Sequence, residues 1–249
     1  VIGVLTEKGR IATRQVLVAA GGWSSLFLRQ HGIRLPQLSV RSSVVRTGKA
    51  DPLVSGTFCS ADFCLRRRQD EGFTLTVRDD EIFDLVPDGF RYFFDFLPML
   101  RRNFRSVRVR PGQAFFQAWK AERLREVGAV SIFEEQRVRD PLPEEATIRR
   151  ALARFRRGRP ELDAVQVADT WAGSIDTTPD LIPVISRLSA LQGLTLATGF
   201  SGHGFGIGPG AGILASELVR GASPGVDPSA FRFERFSDGS PIYLDPDVI

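Results

Sequence analysis

The chain has 249 residues, 43% of them hydrophobic and 25% charged, with a formal net charge of +4 and a pI near 9.6. That composition excludes a disordered or low-complexity chain and allows one large core or two smaller ones. No apolar run approaches the roughly 18 residues of a membrane span, so no transmembrane segment is expected.

The positive charge does not point to nucleic acid. All but three of the 33 basic residues are arginine, and their clusters are scattered among acids, with no DNA- or RNA-binding motif beside them. Cys59 and Cys64 fit neither a zinc pattern nor a disulfide framework, and His31 and His203 lie far from them in sequence. No metal site is expected, and two reduced thiols in a cytoplasmic protein are.

In chain order, residues 1–6 and 11–19 read as a β-hairpin around a glycine-containing turn. Its second strand ends in the apolar run Val16-Leu17-Val18-Ala19-Ala20, the pattern of a strand buried on both faces. The strand passes through Gly21-Gly22 into a helix running from Trp23 to about Gln30. Alternation in 39–45 and 73–77 predicts antiparallel strands. Helices are predicted over about 90–102 and from Glu144 to Gly158, the second with acids in its first turn and arginines in its last, as the helix dipole favours. The predicted fold class is therefore α/β plus α+β, with a mixed antiparallel unit (39–168) inserted between two α/β segments (1–38 and 169–249).

The closing segment carries the strongest signal. After the apolar stretch Leu194-Thr195-Leu196-Ala197, every second residue from Gly202 to Gly212 is glycine, and a helix is predicted over 213–219. A solvated linker would not hold Phe200, Phe205 and Ile207 in the gaps. Bare backbone ahead of a helix start makes a cradle for a flat or anionic ligand. Gly206, Gly208 and Ala211 satisfy a loosened dinucleotide fingerprint, but the turn-forming residues 221–228 replace the second strand that motif needs. The Gly-Lys-Ser/Thr of a phosphate loop is absent as well.

Three stretches together resemble the FAD-dependent D-amino acid oxidase and glycine/sarcosine oxidase family. They are Val-Leu-Val-Ala-Ala-Gly-Gly-Trp-Ser at 16–24, Trp-x-Gly-x-x-Asp-x-Thr-Pro-Asp at 171–180, and Thr-Gly-Phe-Ser-Gly-His-Gly-Phe at 198–205. Arg235-Phe236 fits the family's closing phrase. The resemblance implies a partial FAD-binding domain of the Rossmann-like, glutathione-reductase type, made of 1–38 and 169–249, around a substrate-binding domain at 39–168. It also implies that the βαβ unit gripping the ADP half of FAD lies before Val1, as a missing N-terminal segment that the chain would need as a partner.

By the same resemblance Ala20, Gly21 and Trp23 lie near the FAD pyrophosphate or ribose. Gly173, Gly199, Phe200, Ser201, Gly202, His203, Gly204, Phe205, Gly206, Ile207 and Gly208 border the isoalloxazine. The implied reaction is oxidation of the C–N bond of an amino acid or secondary amine by hydride transfer to flavin N5, with oxygen or a quinone as electron acceptor. Sarcosine oxidases have a lysine where Gly206 stands, and their flavin-tethering cysteine falls near Gly173. Non-covalent FAD and a substrate of D-amino acid, proline-like or opine type are therefore implied; a non-catalytic binding or assembly subunit is the alternative. His203 is the candidate catalytic residue at the flavin face, or else a neutral histidine bonded to loop backbone. Arg66 and Arg68 could fork a substrate carboxylate, and Tyr92 and Trp171 could wall the pocket; a solvated face and simple core are the competing readings. Asp176 and Asp180 read as turn and cap residues around Pro179.

Overall fold

A computed structural model describes residues 1–52, 54–60, 62–77, 80–103, 107–123, 131–160 and 164–244. It opens with a small hairpin, β1 (Val4–Thr6) and β2 (Gly9–Ile11). The strand predicted over 11–19 is split. β2 stops at Ile11, and β3 (Val16–Val18) joins a different sheet. A 3₁₀ turn (Gly21–Trp23) then leads into α1 (Ser24–Gln30).

The largest sheet has seven strands: β4 (Leu38–Thr47), β5 (Thr57–Cys59), β6 (Phe63–Arg67), β7 (Phe73–Val77), β8 (Glu81–Asp84), β9 (Val107–Arg110) and β10 (Val167–Thr177). β4 is its spine. β10 runs antiparallel along the whole of it, from Leu38 opposite Thr177 to Thr47 opposite Val167. β7 and β8 follow one another along the other edge. Side chains directly opposite each other in an antiparallel pair share a face. One face therefore carries Val45, Phe63, Leu65, Phe73, Leu75 and Val77, which pack with Ala151 and Phe155 of a helix described below.

Helices α2 (Pro87–Arg91), α3 (Phe93–Asn103), α4 (Gln113–Arg123), α5 (Ile132–Glu135) and α6 (Glu145–Gly158) belong to this middle region. The single helix predicted over 90–102 is two helices meeting at Tyr92. α6 has the predicted polarity and covers the packed face; Arg150 ties it to the buried Asp80 of the β7–β8 connection at 2.7 Å, and Arg108 of β9 joins the same carboxylate.

The smaller sheet holds β11 (Val184–Arg187), β12 (Leu194–Thr198) and β3, in that order. β12 is buried throughout and runs parallel to β3. β3 is an edge strand here and leaves Leu17 43% exposed, so burial on both faces is not met in this structure. α7 (Gly204–Arg220) packs Ala211, Leu214 and Ala215 against Ile185 and Ala197. The helix predicted over 213–219 thus starts nine residues earlier, and five glycines expected in a loop are helical. Glycine costs about 1 kcal/mol per helical position; burial of the far face of α7 offsets that cost.

Cys59 and Cys64 form a disulfide, correcting the expectation of free thiols. The β5–β6 hairpin sets them directly opposite, with Cα atoms 4.1 Å apart, a placement that sequence spacing does not reveal. No helix among the described residues is long and apolar enough to cross a membrane.

Candidate functional site

Two glycine corners meet at the end of β10. At the first, β3 ends in Ala20 and the chain turns through Gly21 at φ 52°. At the second, β12 leaves its sheet through Gly199 (φ 74°), Ser201 (φ 51°) and Gly202 (φ 87°) before α7 begins. Left-handed backbone at a non-glycine residue is uncommon and gathers at functional turns. Ser201 is held there by its amide on the Asp176 carbonyl (2.9 Å) and its hydroxyl on the Gly199 carbonyl (3.1 Å). A Cβ on Gly199 would lie 2.5 Å from Thr178 Cγ2. Gly199→Ala combines that overlap with an unfavourable φ and is expected to lower stability by about 2–4 kcal/mol; the shift in urea midpoint measures it.

A polar knot ties the corners together. Gln37, almost fully buried, donates through Nε2 to the Gly21 carbonyl (3.2 Å), Asp176 Oδ2 (2.9 Å) and Thr198 Oγ1 (2.9 Å). Asp176 Oδ2 also accepts the Gly199 amide at 2.8 Å, and the Thr198 hydroxyl donates to the Gly21 carbonyl at 3.1 Å. Gln37 Oε1 takes the amide of Ser25 in α1. Asp176 is thus more than a turn residue. Sequence reading missed Gln37, which carries no motif, and gave Thr198 no role beyond opening the 198–205 run; both acquire meaning only when three distant segments converge.

Beside the knot lies the uncovered face of the large sheet. Register places Val40, Ser42 and Val44 of β4 on it with Ile175, Gly173 and Trp171 of β10. Trp171 is 38% exposed, and a Cβ on Gly173 would meet nothing within 4 Å. The second corner closes this face at one end, where a Cβ on Gly202 would lie 3.8 Å from Ile175 Cγ2. α7 points its start at the same place. His203 precedes its first turn with no side-chain cap, and the amides of Gly204 and Phe205 have no intrahelical acceptor. Phe205 is fully exposed, while Gly206 and Gly208 border open space.

The expected site residues divide accordingly. Ala20, Gly21, Gly173, Gly199, Ser201, Gly202, His203, Gly204, Phe205, Gly206, Ile207 and Gly208 lie in or beside the corners and the open face. The His203 imidazole is exposed and makes no hydrogen bond among the described residues. Phe200 turns away and packs into the α7 core. Trp23 faces a separate cavity, stacked beneath Arg139 at 4.3 Å.

Arg66 shares the open face with Trp171, but it lies three strands away in a second cavity formed with Arg68 and Asp70. Arg68 is occupied there by Asp70 at 3.2 Å. These two arginines are not brought to the glycine corners, because β7 and β4 stand between. Tyr92 is not a pocket wall. It is fully buried, with its hydroxyl 2.9 Å from Ser25 Oγ, and burial raises its pKa against the opposing effect of that hydrogen bond.

Comparison with known proteins places this geometry. The family model described as "FAD dependent oxidoreductase" (DAO) matches residues 1–218. The chain belongs to the DAO family. It is 25% identical to a glycine oxidase of Pseudomonas aeruginosa over 93% of its own length and 48% of the relative's. To the sarcosine oxidase subunit beta of Rhizobium meliloti it is also 25% identical, over 96% of this chain and 45% of that one. The L-amino acid deaminase of Proteus myxofaciens, solved in complex with anthranilate, superposes with a TM-score of 0.88 at 26% identity, covering 95% of this chain and 53% of that one. The predicted α/β plus α+β fold class agrees with these DAO neighbours, and the chain spans about half the length of the curated relatives it matches.

The residues present suit the flavin that the DAO family uses. An uncapped helix start offers amides to a negative edge, and side-chain-free positions at Gly173, Gly206 and Gly208 leave room for a planar ring.

Proposed function

We propose that this chain forms the flavin-facing and substrate-facing half of a DAO-family oxidoreductase that oxidises the C–N bond of an amino acid or secondary amine. One observation carries this reading: the uncapped start of α7 and the left-handed Gly199–Gly202 turn close one end of an uncovered sheet face lined by Gly173, Ile175 and Trp171. The division into a discontinuous FAD domain (1–38, 169–249) and a substrate domain (39–168) belongs to the same proposal. So does a preceding dinucleotide-binding unit, for which β3 offers an edge that is unpaired among the described residues.

Non-covalently bound FAD would supply the two-electron acceptor for hydride removal from the carbon bearing nitrogen. The chain's own part is to hold and orient. Amides of Gly204 and Phe205, with the dipole of α7, would stabilise negative charge on a flavin held here. The knot of Gln37, Asp176 and Thr198 fixes both corners, so those amides need no rearrangement during reaction. Trp171 and Ile175 give the substrate an apolar floor that excludes water, and exposed His203 stands where a proton can be exchanged at the edge of the site.

The test is anaerobic bleaching of the FAD-loaded protein by a panel of D-amino acids, N-methyl amino acids, proline analogues and opines. Bleaching by one class is the expected result and names the substrate. Bound flavin that no member reduces would favour the non-catalytic alternative. Reoxidation by oxygen compared with a soluble quinone then separates oxidase from dehydrogenase.

A further inference from the structure

We propose that the cavity on the opposite side of the β4–β10 pair from the open face is a second binding site, for a small carboxylate, with Arg139 as its anchor. The cavity has a volume of about 480 Å³ and lies among Gly22, Trp23, Ser39, Arg41, Gln136 and Arg139. Ser39 and Arg41 belong to the packed face of the large sheet, whereas Gly173 and Ile175 belong to the other. The cavity therefore lies chiefly on the side of the sheet away from Gly173 and Ile175, with Val40 of the open face also in its lining.

Three arginines (Arg29, Arg41 and Arg139) and three aspartates (Asp84, Asp88 and Asp140) line it, but their pairing is uneven. Arg29 is joined to Asp88, and Arg41 reaches Asp84 at 3.3 Å and Glu144 at 3.6 Å. Arg139 has no carboxylate of the described residues within ion-pair distance. Its contacts are a long hydrogen bond to Ser39 Oγ (3.3 Å) and the face of Trp23. Desolvation holds its pKa below the usual arginine value, more than Asp176 and Asp88 raise it. Arg41, also in the wall, keeps a buried Nε with no partner.

A buried donor without an acceptor, such as Arg41 Nε, is rare in folded proteins and calls for an explanation, whereas Arg139 is exposed and open to an incoming ligand. The backbone is shaped around the guanidinium as well: a Cβ on Gly22 would collide with Arg139 Nη1 and lie 2.9 Å from Ser39 Oγ. A planar guanidinium stacked on a ring and lining a cavity suits bidentate recognition of a carboxylate. Ile132, Val138 and Pro87 in the walls suit an apolar body behind that carboxylate.

The probe is cyclohexanecarboxylate, titrated into the 249-residue chain by calorimetry and by tryptophan fluorescence, with neutral cyclohexanecarboxamide as the matched control. The expected result is saturable binding of the acid, roughly tenfold or more weaker binding of the amide, and a change in Trp23 emission. Arg139→Gln should weaken the acid to the level of the amide, with an unchanged circular dichroism spectrum. Equal binding of acid and amide by the unaltered chain overturns the proposal whether or not the variant folds. Acid binding that survives Arg139→Gln overturns it too, since it places the ligand elsewhere, the open sheet face included. Neither outcome bears on flavin binding, which the bleaching experiment reads.

Discussion

Arg235→Ala is expected to lower stability by about 3–5 kcal/mol, a large share of the 5–15 kcal/mol typical of a folded domain. Arg235 is almost fully buried and grips Asp180 in a fork, Nε to Oδ2 at 2.7 Å and Nη2 to Oδ1 at 3.1 Å. The same guanidinium donates to the carbonyls of Ile182 (2.7 Å) and Arg232 (2.8 Å) and lies over the ring of Phe236. Removing it strands the Asp180 carboxylate, which is 5% exposed, without its counter-charge. The effect reaches the glycine corner. Asp180 caps the turn at Ile182, whose carbonyl accepts the Thr178 hydroxyl, and Thr178 is the residue against which Gly199 is packed. Urea unfolding followed by circular dichroism measures the loss; a change below about 1 kcal/mol would contradict the buried-pair assignment.

Asp176→Ala should cost about 2–4 kcal/mol and act more locally. The substitution leaves the Gly199 amide without an acceptor and removes one of three acceptors from Gln37 Nε2. Asp176→Asn keeps one acceptor oxygen in the same place and should lose less than half as much. Hydrogen exchange at the Gly199 and Ser201 amides reads the effect where it arises. Faster exchange at both in the alanine variant, with the β4–β7 amides unchanged, is the expected pattern. Uniform acceleration across the chain would instead mean that the knot is a general stability element and not a clamp on the corners.

Much of this architecture was legible in the sequence where local pattern and tertiary role agree. The alternation of 39–45 and 73–77 reports a sheet with one packed face, and the charge polarity of α6 reports its ends. The Gly-Gly-Trp-Ser and Gly-Phe-Ser-Gly-His-Gly corners stood out because a run of bare backbone after a strand has few uses other than close approach to a ligand. What was not legible depended on partners distant in sequence. Residues 204–212 look like a loop because helical propensity is a local quantity, while burial of Ala211, Leu214 and Ala215 is not. The pairing of Cys59 with Cys64 follows from hairpin register. Arg66 and Arg68 looked like a substrate fork because strand alternation gives a face and not a position across it; two intervening strands set them apart from the corners. Gln37 and Arg139 carry no motif at all, and each matters only through what the fold places around it.

Hydrogen–deuterium exchange, with and without FAD, on this chain extended before Val1 by a dinucleotide-binding unit of the DAO family tests the central claim most directly. Protection gained on adding FAD at both 199–207 and 171–176, with little change along α6, is the predicted result. FAD that binds while both segments exchange as before would contradict the placement of the ring against this turn and this sheet face.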